Sequence, residues 1–389
     1  MSTKKKISIL GSTGIIGINV LNIIDRNKNQ FEVSLLSFNK NIKLGIFQIK
    51  KYKPKFVIVT DDSSYKKIKK KYKNTKVFNT LQNFENYVKK FNISFYKTFL
   101  AVSGIFGLDY AFLFSKFSKY LCIANKESIV CGGKIFINHC NNFNCIISPI
   151  DSEHYCLKKL FEIININKIN NIYITASGGP FLKKKYKQFY KAKINQTTKH
   201  PNWKMGKKIS VDSATMVNKI FEIIEANVLF NLKPGILNIK VHPQSKVHAI
   251  VNLKNGLSYM LAHENSMSIP IRNSLLDKVH LNNNDIFLNN KNITTLTFEE
   301  RSLKKFKIVD VALQFIKNGQ RSHIFFNVLN DHLVDLYLNK KIFFYEIEKN
   351  LIKMLTDDKV INYCKKKVTN FSEIKMSILD SKKMISSLC

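Results

Sequence analysis

The feature that most restricts the fold is the alternation of short apolar runs and amphipathic stretches over residues 1–150. The apolar runs are Ile7–Leu10, Phe31–Leu36, Phe56–Val59, Phe99–Val102, Leu121–Ala124 and Cys145–Ile147. Between them, Ile16–Ile24 and Tyr65–Tyr72 carry helical periodicity. Strand and helix in alternation predict a parallel sheet covered on both faces, with ligands at the carboxyl ends of its strands.

Gly11-Ser-Thr-Gly14-Ile-Ile-Gly17 follows the first run and opens the first helical stretch. Glycines there let the backbone turn tightly and approach a pyrophosphate at a helix N-terminus; the bland alternative is a structural turn. Only 14 glycines occur in 389 residues, so composition alone does not supply three at this spacing. The second run ends in Ser37-Phe-Asn39-Lys40-Asn41, where an NAD site would carry an acid on the ribose 2′-hydroxyl. A lysine with flanking amides instead suits a 2′-phosphate and so NADPH, unless Lys40 is an ordinary surface residue.

From Pro149 to about Asn283 the pattern is polar and non-periodic. Pro149-Ile-Asp151-Ser152-Glu153-His154 places two carboxylates at the end of a predicted buried strand, either as ligands for a hard cation or as a solvated strand end. Glu222 is the candidate third acid, since Asn218, Lys219 and Glu222 fall close to one face of a helix. Carboxylates alone point to magnesium or manganese rather than zinc. Ser177-Gly-Gly-Pro-Phe181 is a second turn able to offer amides and a hydroxyl to a phosphate. His200-Pro-Asn-Trp203-Lys-Met205-Gly206 holds the only tryptophan, readable as a lid or as a buried anchor. An Asn-rich stretch near Asn282–Asn292 reads as a linker. Apolar spacing at Ile308, Val311, Ala312, Phe315 and Ile316, then over Val328–Leu338 and Ile347–Leu355, predicts a small helical bundle.

The net charge of +36 raises nucleic-acid binding, but the lysines are spread along the chain and surround no recognised module. An acidic cluster inside so basic a chain is better explained by a metal. Seven cysteines without a Cys-x-x-Cys pair argue against a zinc ribbon and for reduced, mostly buried thiols. No run of eighteen apolar residues is present, so no membrane span is expected. The Ile7–Leu10 run is too short for a secretory signal, and a cytoplasmic protein is expected.

Taken together, Gly11–Gly17, Ala124-Asn-Lys-Glu-Ser128, Pro149–His154, Ser177–Phe181, His200–Gly206, Ile209–Glu222 and His242-Pro-Gln-Ser-Lys-Val-His248 resemble the 1-deoxy-D-xylulose 5-phosphate reductoisomerase family, in its order and near its spacing. The resemblance implies an α/β chain with an N-terminal Rossmann-like NADPH domain (1–150) and a central α+β catalytic domain (151–283, lid near 181–206). A linker (284–305) and a C-terminal helical bundle (306–389) would follow. It implies NADPH- and metal-dependent isomerisation and reduction of a small phosphorylated sugar, by a homodimer with no nucleic-acid or membrane partner. The implied metal ligands are Asp151, Glu153 and Glu222. Ser152, Ser177, His200, Ser213, Asn218 and Lys219 would join Lys126 around the substrate, and His154 and His248 would line the pocket. Thr13, Gly14, Ile15, Ile16, Lys40, Asn41, Asn125, Glu127 and Gly206 would meet NADPH. Trp203 and Met205 would form the lid.

The chain departs from the family pattern at Asn39, in the lysine-rich lid, and at Leu261-Ala-His-Glu-Asn-Ser-Met-Ser268, where the family has a glycine and an Asp-Met-Arg. The rival enzyme reading, a semialdehyde dehydrogenase, needs a cysteine nucleophile beside a histidine. Cys131 and Cys156 are the cysteines near the motifs, and neither has a convincing local partner in sequence.

Overall fold

The computed structural model describes residues 4–182, 184, 192–203, 205–233, 235–276, 295–300 and 306–388. Most of the proposed linker (284–305, of which 295–300 are described) and most of the lysine-rich lid segment lie outside these residues. The described chain divides into two compact units.

The first unit holds the chain up to Ser128, Phe136–Asp151 and a return from Met267. Its strands are β1 (Lys5–Leu10), β2 (Phe31–Phe38), β3 (Phe56–Val59), β4 (Lys76–Phe78), β5 (Phe95–Leu100), β6 (Ser118–Ile123) and β7 (Ile146–Pro149). They form one sheet in the order β4-β3-β2-β1-β5-β6-β7, and every pair is parallel. The order reverses between β1 and β5, the switch point at which such sheets bind ligands. Ile7, Ile9, Val20, Ile24, Leu36 and Phe99 are buried in its core, as the apolar runs foretell. Lys97 is an exception that no periodicity reveals. Buried on β5, its ammonium donates to the carbonyls of Ser274 (2.8 Å) and Leu275 (2.9 Å), capping the returning Ser268–Leu275 helix.

The second unit holds Ile129–Ile135, Ser152–Ser266 and the C-terminal chain. Its sheet is mixed, in the order β11-β10-β8-β9, from β8 (Ile169–Ala176), β9 (Leu237–Val241), β10 (Val247–Leu253) and β11 (Ser258–Ala262). Strand β8 runs parallel to β9 and antiparallel to β10. Helices Ser152–Phe161 and Val217–Phe230 belong to this unit, as does a C-terminal group that includes Lys307–Phe315, Gln320–Leu338, Phe344–Leu355 and Phe371–Leu388. The Val217–Phe230 helix is buried nearly all round, so it belongs to the interior rather than to a surface.

Helix Lys126–Asn142 is broken at Gly133 (φ 53°, ψ −148°). The Gln320 side chain enters the break and donates to the carbonyls of Val130 (3.0 Å) and Cys131 (2.7 Å). A Cβ at Gly133 would displace that amide, and the positive φ is a conformation that side-chain-bearing residues rarely adopt, so glycine is favoured there. Cys122, Cys131, Cys140, Cys145, Cys156 and Cys364 are all buried. No described helix is long and apolar enough to cross a membrane.

Candidate active site

Strand β7 is an edge strand with Ile146 48% exposed and only its last residue, Pro149, buried, so the expectation of a buried strand is corrected. The carboxylates are presented by the start of the next helix: Asp151 directly precedes Ser152–Phe161 and Glu153 lies in its first turn. A carboxylate is electrostatically at home there, beside the helix N-terminus. Glu222 comes from the Val217–Phe230 helix, which begins after Met216 in the left-handed region (φ 66°). One oxygen from each of Asp151, Glu153 and Glu222 lies within 4.8 Å of the other two, the only such cluster among the described residues. Opposed ligands of a magnesium ion, each at ~2.1 Å, are about 4.2 Å apart, so small side-chain rotations suffice to fit one. An all-carboxylate set also fits a hard divalent cation.

Each acid also has a protein donor. Lys219 Nζ donates to Glu153 Oε1 at 2.5 Å and to Glu222 Oε2. Lys126 pairs with Asp151, Asn218 Nδ2 donates to Glu222 Oε1, and Ser152 Oγ donates to Glu153 Oε2. Burial opposes the charge on Lys219, but Glu153 and Glu222 outweigh it and hold the ammonium above its ordinary value. Asn218 Oδ1 is buried and finds no hydrogen-bond partner among the described residues. His154, expected to line the pocket, is 0% exposed. It is spent on helix packing instead: Nε2 lies 2.9 Å from the Glu222 carbonyl, and Nδ1 is 3.9 Å from Glu225. Glu225, itself buried, was not singled out in the sequence.

The Ser177-Gly-Gly turn has both glycines at positive φ (79° and 66°). A Cβ on Gly179 would stand 2.8 Å from the Ser213 carbonyl, so the turn lies directly against Ser213. His200 Nδ1 accepts the backbone N–H groups of Asn202 and Trp203, each at 3.1 Å. That network assigns the proton to Nε2, which donates to Ser177 Oγ at 2.8 Å. Ser177 Oγ also accepts from Gly179 N at 3.1 Å, so its own hydroxyl proton remains to donate. Burial, helped by the Lys219 charge and opposed by Glu153, pushes His200 down to about 4. Trp203 is half-buried, with its ring edge on His248 at 5.9 Å, which makes it neither a surface residue nor a fully buried anchor.

In the first unit, Gly11 has φ +83°, and a Cβ there would lie 2.5 Å from the Ala101 carbonyl. The loops after β1 and β5 therefore touch at the switch point. A Cβ on Gly17 would lie 2.5 Å from the Gly11 carbonyl. Gly14 caps the Ile15–Arg26 helix without a side-chain hydrogen bond, and Gly14 and Ile15 are exposed, with Thr13 and Ile16 half-buried beside them. The first-turn N–H groups are the donors an anion needs. Gln48, which no motif marks, anchors the loop: Ser12 Oγ donates to its Oε1 at 2.7 Å, and its Nε2 donates to the Ser12 carbonyl at 2.9 Å. Lys40 and Asn41 are exposed after β2, and Asn41 caps the next helix through Leu44 N at 3.3 Å. Asn125 is used by the fold, donating to Val102 O, Gly104 O and Glu127 while accepting from Ser128. Gly206 caps the Lys207–Ala214 helix in the second unit, with open space around it.

Family models match most of the chain. The 1-deoxy-D-xylulose 5-phosphate reductoisomerase model covers residues 7–133, its C-terminal domain model 147–230, and the DXP reductoisomerase C-terminal domain model 263–380. The 1-deoxy-D-xylulose 5-phosphate reductoisomerase of Pelagibacter ubique is 41% identical over 377 residues, spanning 95% of this chain and 96% of the relative. That of Lawsonia intracellularis is 37% identical, with 92% and 89% covered. A solved DOX-P reductoisomerase in complex with NADPH, fosmidomycin and magnesium superposes with a TM-score of 0.90 at 26% identity, covering 98% of each chain. The Zymomonas mobilis enzyme in complex with NADPH gives 0.84 at 26% identity, covering 99% of this chain and 100% of that one. On the extent of these matches, the chain belongs to the 1-deoxy-D-xylulose 5-phosphate reductoisomerase family.

Proposed function

We propose that this chain converts 1-deoxy-D-xylulose 5-phosphate to 2-C-methyl-D-erythritol 4-phosphate, with NADPH and magnesium or manganese, in non-mevalonate isoprenoid biosynthesis. The observation that carries the reading is the cluster of Asp151, Glu153 and Glu222, of which Glu153 and Glu222 are bridged by Lys219 in the unit that also holds the Ser177–His200 pair. Those three carboxylates would hold the metal, whose Lewis acidity stabilises negative charge on the substrate's carbonyl and hydroxyl oxygens. NADPH supplies the hydride that reduces the rearranged aldehyde.

The chain's own residues have the remaining tasks. Ser177 keeps a hydroxyl proton for a phosphate oxygen, and the Gly178–Gly179 turn and Ser213 flank it. Neutral His200 fixes that hydroxyl rather than pairing with the phosphate as a cation. Asn218 offers its unpartnered Oδ1 to a substrate hydroxyl, and Lys219 and Lys126 bring positive charge to the carboxylates. Ser152 orients Glu153, and His154 orients Glu222 through its carbonyl. Trp203 and Met205, with His248 behind the tryptophan, exclude water from the reacting carbons. For the cofactor, the amides at Thr13–Ile16 take the pyrophosphate and Lys40 with Asn41 the 2′-phosphate. Asn125 and Glu127 order the Val102–Gly104 turn, whose neighbour Ala101 touches Gly11, and Gly206 adds open backbone.

The functional division is 1–150 for cofactor, 151–283 for metal and substrate, 284–305 as connection and 306–389 as helical support. A cytoplasmic homodimer completes the reading, supported for its assembly by edge strand β11, where Tyr259 and Met260 are exposed. Sedimentation at micromolar concentration tests the dimer. The activity is tested by NADPH oxidation with 1-deoxy-D-xylulose 5-phosphate, with and without magnesium. Oxidation that needs both and disappears in Glu153→Gln is the expected result; metal-independent oxidation would overturn the reading.

A further inference from the structure

Two histidines stand behind Trp203, and one of them, His263, has no part in the proposed metal, substrate or cofactor contacts. Four rings form a row within the second unit. Tyr155, on the helix that carries Glu153, meets His263 edge-on at 6.4 Å. His263 lies face to face on His248 at 3.9 Å with 25° between the planes. His248 then takes the edge of Trp203 at 5.9 Å.

The hydrogen bonds show what His263 contributes. Its Nδ1 lies 2.7 Å from the Glu264 carbonyl and so carries the proton, while its Nε2 is buried without a partner among the described residues. A buried nitrogen left unsatisfied is a cost. The compensation lies in the flat face set against His248, whose own Nε2 reaches only the His263 carbonyl at 3.4 Å. Imidazoles stack this closely when both are neutral, and burial lowers both, His248 to about 3. The His200–Trp203 segment is already pinned on one side by polar contacts: His200 to Ser177, and Asn202 to Pro243 O (2.7 Å) and Ser245 Oγ (3.0 Å). The ring row supplies the contact at Trp203 itself.

We infer that His263 is a positioning residue: stacked on His248, it fixes that imidazole beneath Trp203 and so sets where the tryptophan rests over the site. The catalytic consequence depends on the proposed role of Trp203 as a lid, whereas the ring row does not. The single tryptophan makes the test direct, because all indole emission comes from Trp203.

Full-length His263→Ala and His263→Phe are compared with the parent by Trp203 fluorescence anisotropy without substrate, and by steady-state kinetics with magnesium and NADPH. Removing the flat face in the alanine variant is expected to lower the anisotropy. It should raise KM for the sugar phosphate about tenfold with kcat within about twofold, since the defect is one of placement. The phenylalanine variant keeps the face, loses both nitrogens and is expected to restore anisotropy and KM. An alanine variant that binds NADPH and keeps the parent's anisotropy would overturn the inference. So would a phenylalanine variant as impaired as the alanine one, since that would make the nitrogens the working part. If the parent itself oxidises no NADPH, the proposed activity fails while the anisotropy comparison still decides the ring row.

Discussion

The two units place function in opposite parts of the polypeptide. The first works through backbone: Gly11 and Gly17 leave no room for a Cβ, and the Gly14 helix terminus offers N–H groups rather than side chains. The second works through side-chain charge, with Glu153, Glu222 and Lys219 buried against one another. Buried charges of this kind are tolerable only while paired. One unit should therefore fail when an atom is added, the other when a charge is taken away.

The sharpest way to break that contrast is Glu222→Gln, which keeps shape and removes charge. It is expected to lower metal-dependent NADPH oxidation about 10²–10³-fold and to raise the magnesium concentration at half-activity. A variant with the parent's magnesium dependence would show that the triad is not the metal site. Next in size is Gly17→Ala, which adds one methyl 2.5 Å from the Gly11 carbonyl. A destabilisation of about 1–3 kcal/mol is expected, read in chemical denaturation, with weaker NADPH binding and an unchanged magnesium midpoint. Loss of magnesium affinity there would erase the distinction between the units.

Asn125→Ala should cost about 0.5–2 kcal/mol, because the amide both caps the Lys126–Asn142 helix and holds Val102 and Gly104. NADPH titration should weaken more than substrate KM rises. Acid probes the second unit through its buried histidines. Burial lowers His200 to about 4 and His248 to about 3, so the native state stays unprotonated where an unfolded histidine, near 6.5, takes up protons. Stability therefore falls as pH drops from about 6.5 towards 4, and denaturation midpoints at pH 7, 6 and 5 should decline in that order. The smallest effect belongs to Gly206→Ala, where the added Cβ meets nothing within 4 Å. A melting temperature and NADPH affinity indistinguishable from the parent are expected, and a large NADPH defect would show that the backbone there needs glycine after all.

How much could be read beforehand follows the same contrast. The apolar runs at Ile7, Phe31 and Phe56 became β1, β2 and β3, because a strand buried on both faces must be continuously apolar. Strand β4 was missed because three residues beginning with Lys76 carry no such signal. Asp151 and Glu153 were visible as neighbours, and Glu222 came from helical spacing combined with family resemblance. Gln48 under the glycine loop and Lys97 at a helix end left no trace, and His263 showed only as part of a departure from the family pattern, since each meets a partner far along the chain.

The amino-acid order alone determined what acts locally: the alternation that builds the parallel sheet, the glycines a tight loop requires, and a helix offering Asn218, Lys219 and Glu222 together. Tertiary structure decided which groups share space. It brought three carboxylates within 4.8 Å, buried His154 against the Glu222 helix and set two imidazoles face to face. The physical reason is range. Periodicity and backbone sterics act over a few residues, whereas pairing of buried charge and stacking of rings depend on distances through space that only the folded chain fixes.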